Sequence, residues 1–72
     1  MAVVRIRVAE LLRERRMSQT ELARLTGLPR PSINRLVNHP EELSKIGIPT
    51  INALCRVFNV QVNKILEYLP DE

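Results

Sequence analysis

Apolar residues recur at three- and four-residue intervals through most of this 72-residue chain, the period of an α-helix with one buried face. The pattern predicts a first helix from about Arg7 to Arg16 and a second from Gln19 to about Thr26. We expect Ser18 to cap the second helix, with Glu21 completing a capping box. Gly27 should end that helix in the left-handed conformation.

A third helix is predicted to begin near Pro29 or Pro31 and to run to about Val37. A longer loop, "NHPEELSKIGIP", follows it. The fourth helix should run from about Pro49 to Phe58 and end at Asn59, because asparagine tolerates the left-handed conformation. The fifth is predicted from about Gln61 to Leu69, with Pro70 stopping it. Short connections between five helices indicate an all-α fold, a compact bundle of four to five short helices.

One segment near the start of the chain has a different period. "VVRIRV" alternates apolar and basic residues, which places Val4, Ile6 and Val8 on one face. It is either a strand or an early helical turn. Because a lone strand is not stable by itself, we expect a strand here to pair with its copy in a dimer.

Length and composition indicate one small domain over residues 1–72 with an aliphatic core, since the chain has one Phe, one Tyr and no Trp. A core of this size is marginal, so association with a second copy would stabilise it. The single cysteine, Cys55, allows no internal disulfide and favours a reducing, cytoplasmic location. No apolar run reaches the ~20 residues of a membrane span, and no secretory signal is evident.

Charge is unevenly placed along the chain. Residues 1–40 carry eight arginines and three glutamates, a balance of +5, whereas residues 41–72 carry three basic and five acidic residues, a balance of −2. The two halves sum to the net charge of +3. This asymmetry indicates a polyanion-facing side, although arginine-rich composition alone would also produce it.

The segment from about 18 to 38 has the spacing of two short helices packed nearly at right angles. Ala23 supplies the small side chain where the helix axes approach, and Gly27 the positive φ of the turn. The remaining positions are polar or apolar as a DNA-binding helix-turn-helix requires. The full set is Gln19, Leu22, Ala23, Gly27, Leu28, Ile33 and Leu36. Thr26 departs from it, since an aliphatic residue is commoner there.

"MSQTELARLTGLPRPSINRLVN", followed by "TINALCRVFNVQVNKILEYL", resembles the lambda-repressor/Cro-like (XRE-type) helix-turn-helix family, in particular its small stand-alone members. The similarity extends from about Val8 to Leu69. It implies sequence-specific binding of double-stranded DNA in the major groove, as a homodimer that controls transcription.

The resemblance also implies which residues contact DNA. The third helix becomes the recognition helix, and its outward residues become the base readers: Arg30, Pro31, Asn34 and Arg35. Phosphate contacts fall at the start of the second helix, in the recognition helix and after it: Gln19, Ser32, Asn38 and Lys45. The prolines depart from the family pattern, because Pro29 stands where a Ser or Thr cap is usual. We expect Pro31 to displace Arg30 from helical geometry, so that Arg30 becomes the cap.

No enzyme, metal or cofactor site is predicted. His39 is the only histidine and has no evident carboxylate or thiol partner, which argues against a catalytic triad and a zinc site. Two glycines cannot form a glycine-rich phosphate loop.

The leading hypothesis is therefore a repressor. An antitoxin-type autorepressor with a toxin partner is an alternative, as is a protein-interaction module that kept the fold without binding DNA. RNA binding is a weaker possibility, because stacking aromatic residues are scarce. The dimer would form through Val60, Tyr68 and Leu69, or through a strand pair at Val4–Ile6.

Overall fold

The computed structural model describes residues 3–70, which form five α-helices, a short 3-10 helix and two strands. Every predicted helix is present, and the bounds of the first four lie close to those expected from periodicity. In chain order the elements are β1 (Val3–Ile6), α1 (Val8–Arg15), α2 (Gln19–Thr26), α3 (Arg30–Asn38), the 3-10 helix (Pro40–Glu42), α4 (Ile48–Phe58), α5 (Val62–Ile65) and β2 (Leu66–Leu69).

The core is aliphatic around a single phenylalanine, as composition predicts. Phe58, Leu22 and Ile33 are among the largest side chains with no exposed surface, and they come from α4, α2 and α3. Burial of each such side chain contributes about 1.5–3 kcal/mol to stability. All five helices contribute to the buried cluster, which consists of Val8, Leu11, Leu12, Leu22, Ile33, Leu36, Leu54, Phe58 and Ile65.

The ends of α2 and α4 follow the predicted signals, except that the capping box is incomplete, because the carboxylate of Glu21 accepts hydrogen bonds from Arg24. The hydroxyl of Ser18 accepts a 3.0 Å hydrogen bond from the backbone N–H of Glu21, which caps α2. Gly27 ends α2 at φ 75°, and Asn59 ends α4 at φ 56°, both in the left-handed region. Arg16 also adopts this conformation at the end of α1, with φ 52°. The sequence did not predict it, because the residue there is neither glycine nor asparagine.

The predicted fifth helix is wrong in its second half. α5 ends at Ile65, and Leu66 turns to extended geometry with φ −120° and ψ 137°. Residues Leu66–Leu69 form β2, which pairs antiparallel with β1 and sets Val3 opposite Leu69. The expectation of an all-α fold is therefore wrong: this is a helix-turn-helix bundle with a two-stranded sheet.

β1 itself confirms the strand reading of the alternating segment, but its partner was wrongly predicted. It pairs inside the chain, with Ile6 opposite Leu66, and therefore needs no second copy to complete a strand pair. The backbone N–H of Arg7 extends the pairing by donating a 2.8 Å hydrogen bond to the carbonyl of Ile65. The sheet therefore ties the start of the described chain to its end.

α4 is the longest helix, with 11 residues and Pro49 in its first turn, a position where proline needs no N–H partner. Among residues 3–70 there is no helix with both the length and the apolar character required to cross a membrane.

Candidate nucleic-acid interface

α2 and α3 are joined by three residues that turn the chain sharply. Gly27 provides the left-handed turn, and its backbone N–H donates a 2.9 Å hydrogen bond to the carbonyl of Ala23. Leu22 from α2 and Ile33 from α3 are fully buried, and Leu28 packs against the same core. The apolar residues predicted to hold the two helices together therefore all lie in the core or pack against it.

Thr26 departs from the aliphatic pattern for a structural reason. Its hydroxyl is buried, donates a 2.7 Å hydrogen bond to the carbonyl of Leu22, and accepts a 3.2 Å bond from the backbone N–H of Leu28. The hydroxyl thus serves the turn between the two helices, satisfying an N–H group that an aliphatic residue would leave without this partner.

α3 presents two faces. Ile33 and Leu36 point into the core, whereas all the residues predicted from this helix to contact DNA are exposed. Positions separated by three and four residues fall on one side of a helix, so Pro31, Asn34, Arg35 and Asn38 form a continuous outward stripe. The exposed residues of α3 named at the sequence level are Arg30, Pro31, Ser32, Asn34, Arg35 and Asn38.

An open cleft of about 240 Å³ lies beside this stripe. Pro31, Ser32 and Arg35 form one wall, and Lys45 stands on the other wall with the loop that precedes α4. Four of the predicted DNA contacts, taken from separate parts of the sequence, thus line one cleft. Asn34 does not line it.

The first turn of α2 lies close to the first turn of α3. One guanidinium nitrogen of Arg30, Nη1, donates a 2.7 Å hydrogen bond to the hydroxyl of Thr20, and both residues are exposed. Sequence reasoning did not select Thr20, because the contact depends on how the two helices pack and no local pattern marks it.

Gln19, the predicted phosphate contact at this place, is half-buried. Its side-chain oxygen, Oε1, is buried and has no hydrogen-bond partner among residues 3–70. The N-terminal end of a helix favours anions, since its first N–H groups lack partners within the helix. One of these groups in α2 is already used, because the N–H of Glu21 donates to the hydroxyl of Ser18.

The start of α3 differs from the prediction. The helix begins at Arg30 and its cap is Pro29, so the expected role of Arg30 as the cap is wrong. Pro29 has the extended geometry of a cap, with φ −61° and ψ 145°, and its carbonyl accepts hydrogen bonds from the N–H groups of Ser32 and Ile33. Proline at the second helical position is compatible with the first turn, where its missing N–H is not required.

Three arginines outside the candidate interface are paired with acidic residues. Arg5 and Arg7 both contact Glu10, at 2.6 and 2.8 Å, and Arg24 pairs with Glu21. The hydrogen bond from Arg7 lowers the pKa of Glu10 below its ordinary value, with a further contribution from the charge of Arg5. No acidic partner is found within residues 3–70 for the three basic residues of the interface, namely Arg30, Arg35 and Lys45.

His39 follows α3 and does have a carboxylate neighbour, contrary to expectation. Its Nδ1 lies 3.2 Å from Oε2 of Glu42. Together with Glu41, these side chains place three potential metal-ligand atoms within 4.8 Å of one another. All three residues are exposed, and exposed acidic groups of this kind are common without a metal.

Comparison with known proteins gives the family. The Cro/C1-type HTH DNA-binding domain matches residues 7–71. An uncharacterized HTH-type transcriptional regulator, YozG of Bacillus subtilis (strain 168), is 33% identical over 72 residues, which cover all of this chain and 82% of that protein. The crystal structure of the transcriptional regulator VanUg superposes with a TM-score of 0.72 at 22% identity, covering 97% of this chain and 89% of that one. The chain belongs to the Cro/C1-type helix-turn-helix family of DNA-binding transcriptional regulators.

Proposed function

We propose that this protein is a sequence-specific repressor that binds double-stranded DNA as a homodimer and acts as one domain. The observation that carries the proposal is the exposed stripe on α3, flanked by arginines and a lysine without acidic partners among residues 3–70. An exposed helix fits the width of the major groove, and arginine side chains match the hydrogen-bonding pattern of its base edges.

The residues divide by role. Arg35 is the principal base reader, because arginine forms a bidentate pair with the O6 and N7 atoms of guanine. Asn34 suits adenine in the same way, while Arg30 and Pro31 contact bases from the first turn. Phosphates are contacted from both sides of the recognition helix, which fixes the register of the protein on DNA. These contacts are assigned to Gln19, Ser32, Asn38 and Lys45.

A dimer follows from the apolar surface that the chain leaves exposed at the end of its sheet. Val4 and Tyr68 stand opposite each other across the two strands, and each is 63% exposed. Val3 and Leu69 form the neighbouring pair, which points to the opposite face of the sheet and is also exposed. A second copy packed on the face of Val4 and Tyr68 would cover that face, and such a dimer would contact half-sites about 34 Å apart, one turn of DNA. Occupancy of a promoter then suffices for repression.

The test is selection of bound sequences from a random pool of duplex DNA, comparing the wild type with Arg35→Ala. We expect the wild type to enrich an inverted repeat and Arg35→Ala to lose the preference at one base pair of each half-site. Arg56→Ala removes an exposed arginine of α4 outside the cleft and should leave the enriched sequence unchanged.

Light scattering and transcription complete the test. In light scattering, the complex should exceed the mass of the selected duplex by two chains of 8.3 kDa each. In a transcription assay, the protein should reduce transcription from a promoter that overlaps the site. Binding without enrichment that falls steeply with salt would indicate backbone contacts alone and overturn sequence-specific recognition. Absence of binding at low salt would favour a protein-interaction module.

A further inference from the structure

Pro31 occupies an unusual place for a proline, in the middle of the surface proposed to face DNA. It is the second residue of α3, its ring is exposed, and it lines the cleft together with Arg35, four residues later. Residues at this spacing are neighbours on one helix face. Pro29, two residues earlier, is also exposed but does not line the cleft.

The surface around Pro31 has little capacity to donate hydrogen bonds from the backbone. Neither Pro29 nor Pro31 has an N–H group. The N–H of Ser32 already donates a 3.0 Å hydrogen bond to the carbonyl of Pro29. Pro31 therefore offers a base an apolar ring and no donor, so it cannot read a base by hydrogen bonding through its side chain or its nitrogen.

One base edge in the major groove is apolar, and it is the C5-methyl group of thymine. We propose that Pro31 reads a thymine through this methyl group, beside the base pair contacted by Arg35. The inference rests on the proposed function, since it requires α3 to enter the major groove. One helical turn separates the two residues by about 5.4 Å. Base pairs are spaced by about 3.4 Å, so the thymine lies one or two base pairs from the guanine.

Deoxyuridine tests the proposal because it differs from thymidine only by the absent methyl group. In the duplex selected by the wild-type protein, each thymine is replaced in turn and the Kd is measured. We expect about fourfold weaker binding at one position in each half-site, the effect of losing one buried methyl-sized group. Elsewhere, the replacement should leave the Kd unchanged.

Two variants connect the effect to the ring. Pro31→Gly, which has no side chain to contact the methyl group, should bind the thymine and deoxyuridine duplexes equally, whereas Pro29→Gly, the matched control, should retain the fourfold difference. Thermal unfolding by circular dichroism verifies that both variants are folded. The comparison between two DNAs for one folded protein is independent of any change in its overall affinity.

Each other outcome has a distinct meaning. The wild type could bind all the duplexes with equal affinity while Arg35→Ala still loses its base preference. This result would overturn the role of Pro31 and leave the proposed function standing. A thymine preference that persists in Pro31→Gly would overturn the proposal and assign the methyl contact to another residue. Failure to enrich any sequence would overturn the proposed function itself, and this inference with it.

Discussion

The guanidinium of Arg30 is held by the hydroxyl of Thr20 through a 2.7 Å hydrogen bond that joins the first turns of α3 and α2. Arginine has many rotamers, and ordering such a side chain on binding costs about 0.5–1.5 kcal/mol. A partner that fixes the guanidinium before DNA arrives reduces this cost. Thr20 is therefore expected to act on DNA recognition through Arg30.

Thr20→Val should weaken specific DNA binding about two- to tenfold, the effect of losing roughly 0.5–1.5 kcal/mol of pre-organisation. The enriched sequence should become less selective at the base pair contacted by Arg30, which selection from a random duplex pool would reveal. Thr20→Ser keeps the hydroxyl and should behave like the wild type. If Thr20→Val and Thr20→Ser enriched the same sequence with equal selectivity, the hydrogen bond would have no part in recognition.

Thr26→Val should destabilise the fold by about 1–3 kcal/mol, because it leaves the N–H of Leu28 without the hydroxyl that accepts its hydrogen bond. Valine has nearly the same shape, so no cavity contributes. Urea unfolding measures the change. Thr26→Ser retains the hydroxyl and should lose only the contribution of one methyl group, about 0.8 kcal/mol. A Thr26→Val protein as stable as the wild type would contradict the role given to the hydroxyl.

Gly27→Ala should cost about 1–2 kcal/mol through backbone conformation alone, since φ is 75° and no atom lies within 4 Å of an added Cβ. Gly47 gives the matched comparison. Its φ is −77°, and an added Cβ would stand 3.6 Å from Cδ of Pro49, an ordinary contact. Gly47 is also the N-cap of α4, where alanine is less favourable than glycine. Gly47→Ala should therefore be close to neutral, because that loss offsets a gain of about 0.4–1 kcal/mol from the less flexible unfolded chain. Thermal or urea unfolding distinguishes the two, and equal effects would be the contrary result.

Acid should weaken the fold through Glu10. Because the hydrogen bond from Arg7 lowers the pKa of this carboxyl in the folded protein, its stabilising contribution is present above its ordinary pKa of 4.5. The contribution is lost as pH falls through the lower folded pKa. In urea titrations from pH 7 to pH ~2.5, Glu10→Gln should flatten the pH dependence of the unfolding free energy.

Glu14→Gln is the control for that experiment. It removes a carboxylate from the same helix that has no ion pair within residues 3–70, and it should reproduce the pH dependence of the wild type. If the unfolding free energy of Glu10→Gln depended on pH as that of the wild type does, the pairs of Glu10 with Arg5 and Arg7 would make no contribution to stability in acid.

Local signals in the sequence were sufficient for the helix-turn-helix. Ser18 predicts the start of α2 because its hydroxyl can cap a helix, and Gly27 predicts the end because glycine adopts the left-handed conformation. The spacing of the apolar residues Ile33 and Leu36 predicts which side of α3 is buried. Because a helix with two buried positions has a defined outer side, the exposed stripe followed as well. The candidate interface was thus predictable wherever a single helix determines which way a residue points.

Contacts between distant segments were not predictable in this way. Residues 62–69 have apolar positions at helical spacing, so periodicity favours one helix through Leu69. The chain instead leaves the helix after Ile65, because β1 supplies backbone partners from the other end of the sequence. The same limit applies to Thr20, whose partner Arg30 lies on another helix, and to the hydroxyl of Thr26, which serves the turn.

The pairing of Val3 with Leu69 has a consequence for synthesis on the ribosome. β1 is translated before all five helices, whereas the strand that completes its hydrogen bonds is translated after them. Translation adds about 5–20 residues per second, so β1 stays without its strand partner for several seconds after it is made. During this time α1 to α4 can already pack on one another. Closure of the sheet is therefore a late event in cotranslational folding, and a nascent chain stalled before residue 66 would expose an unpaired β1.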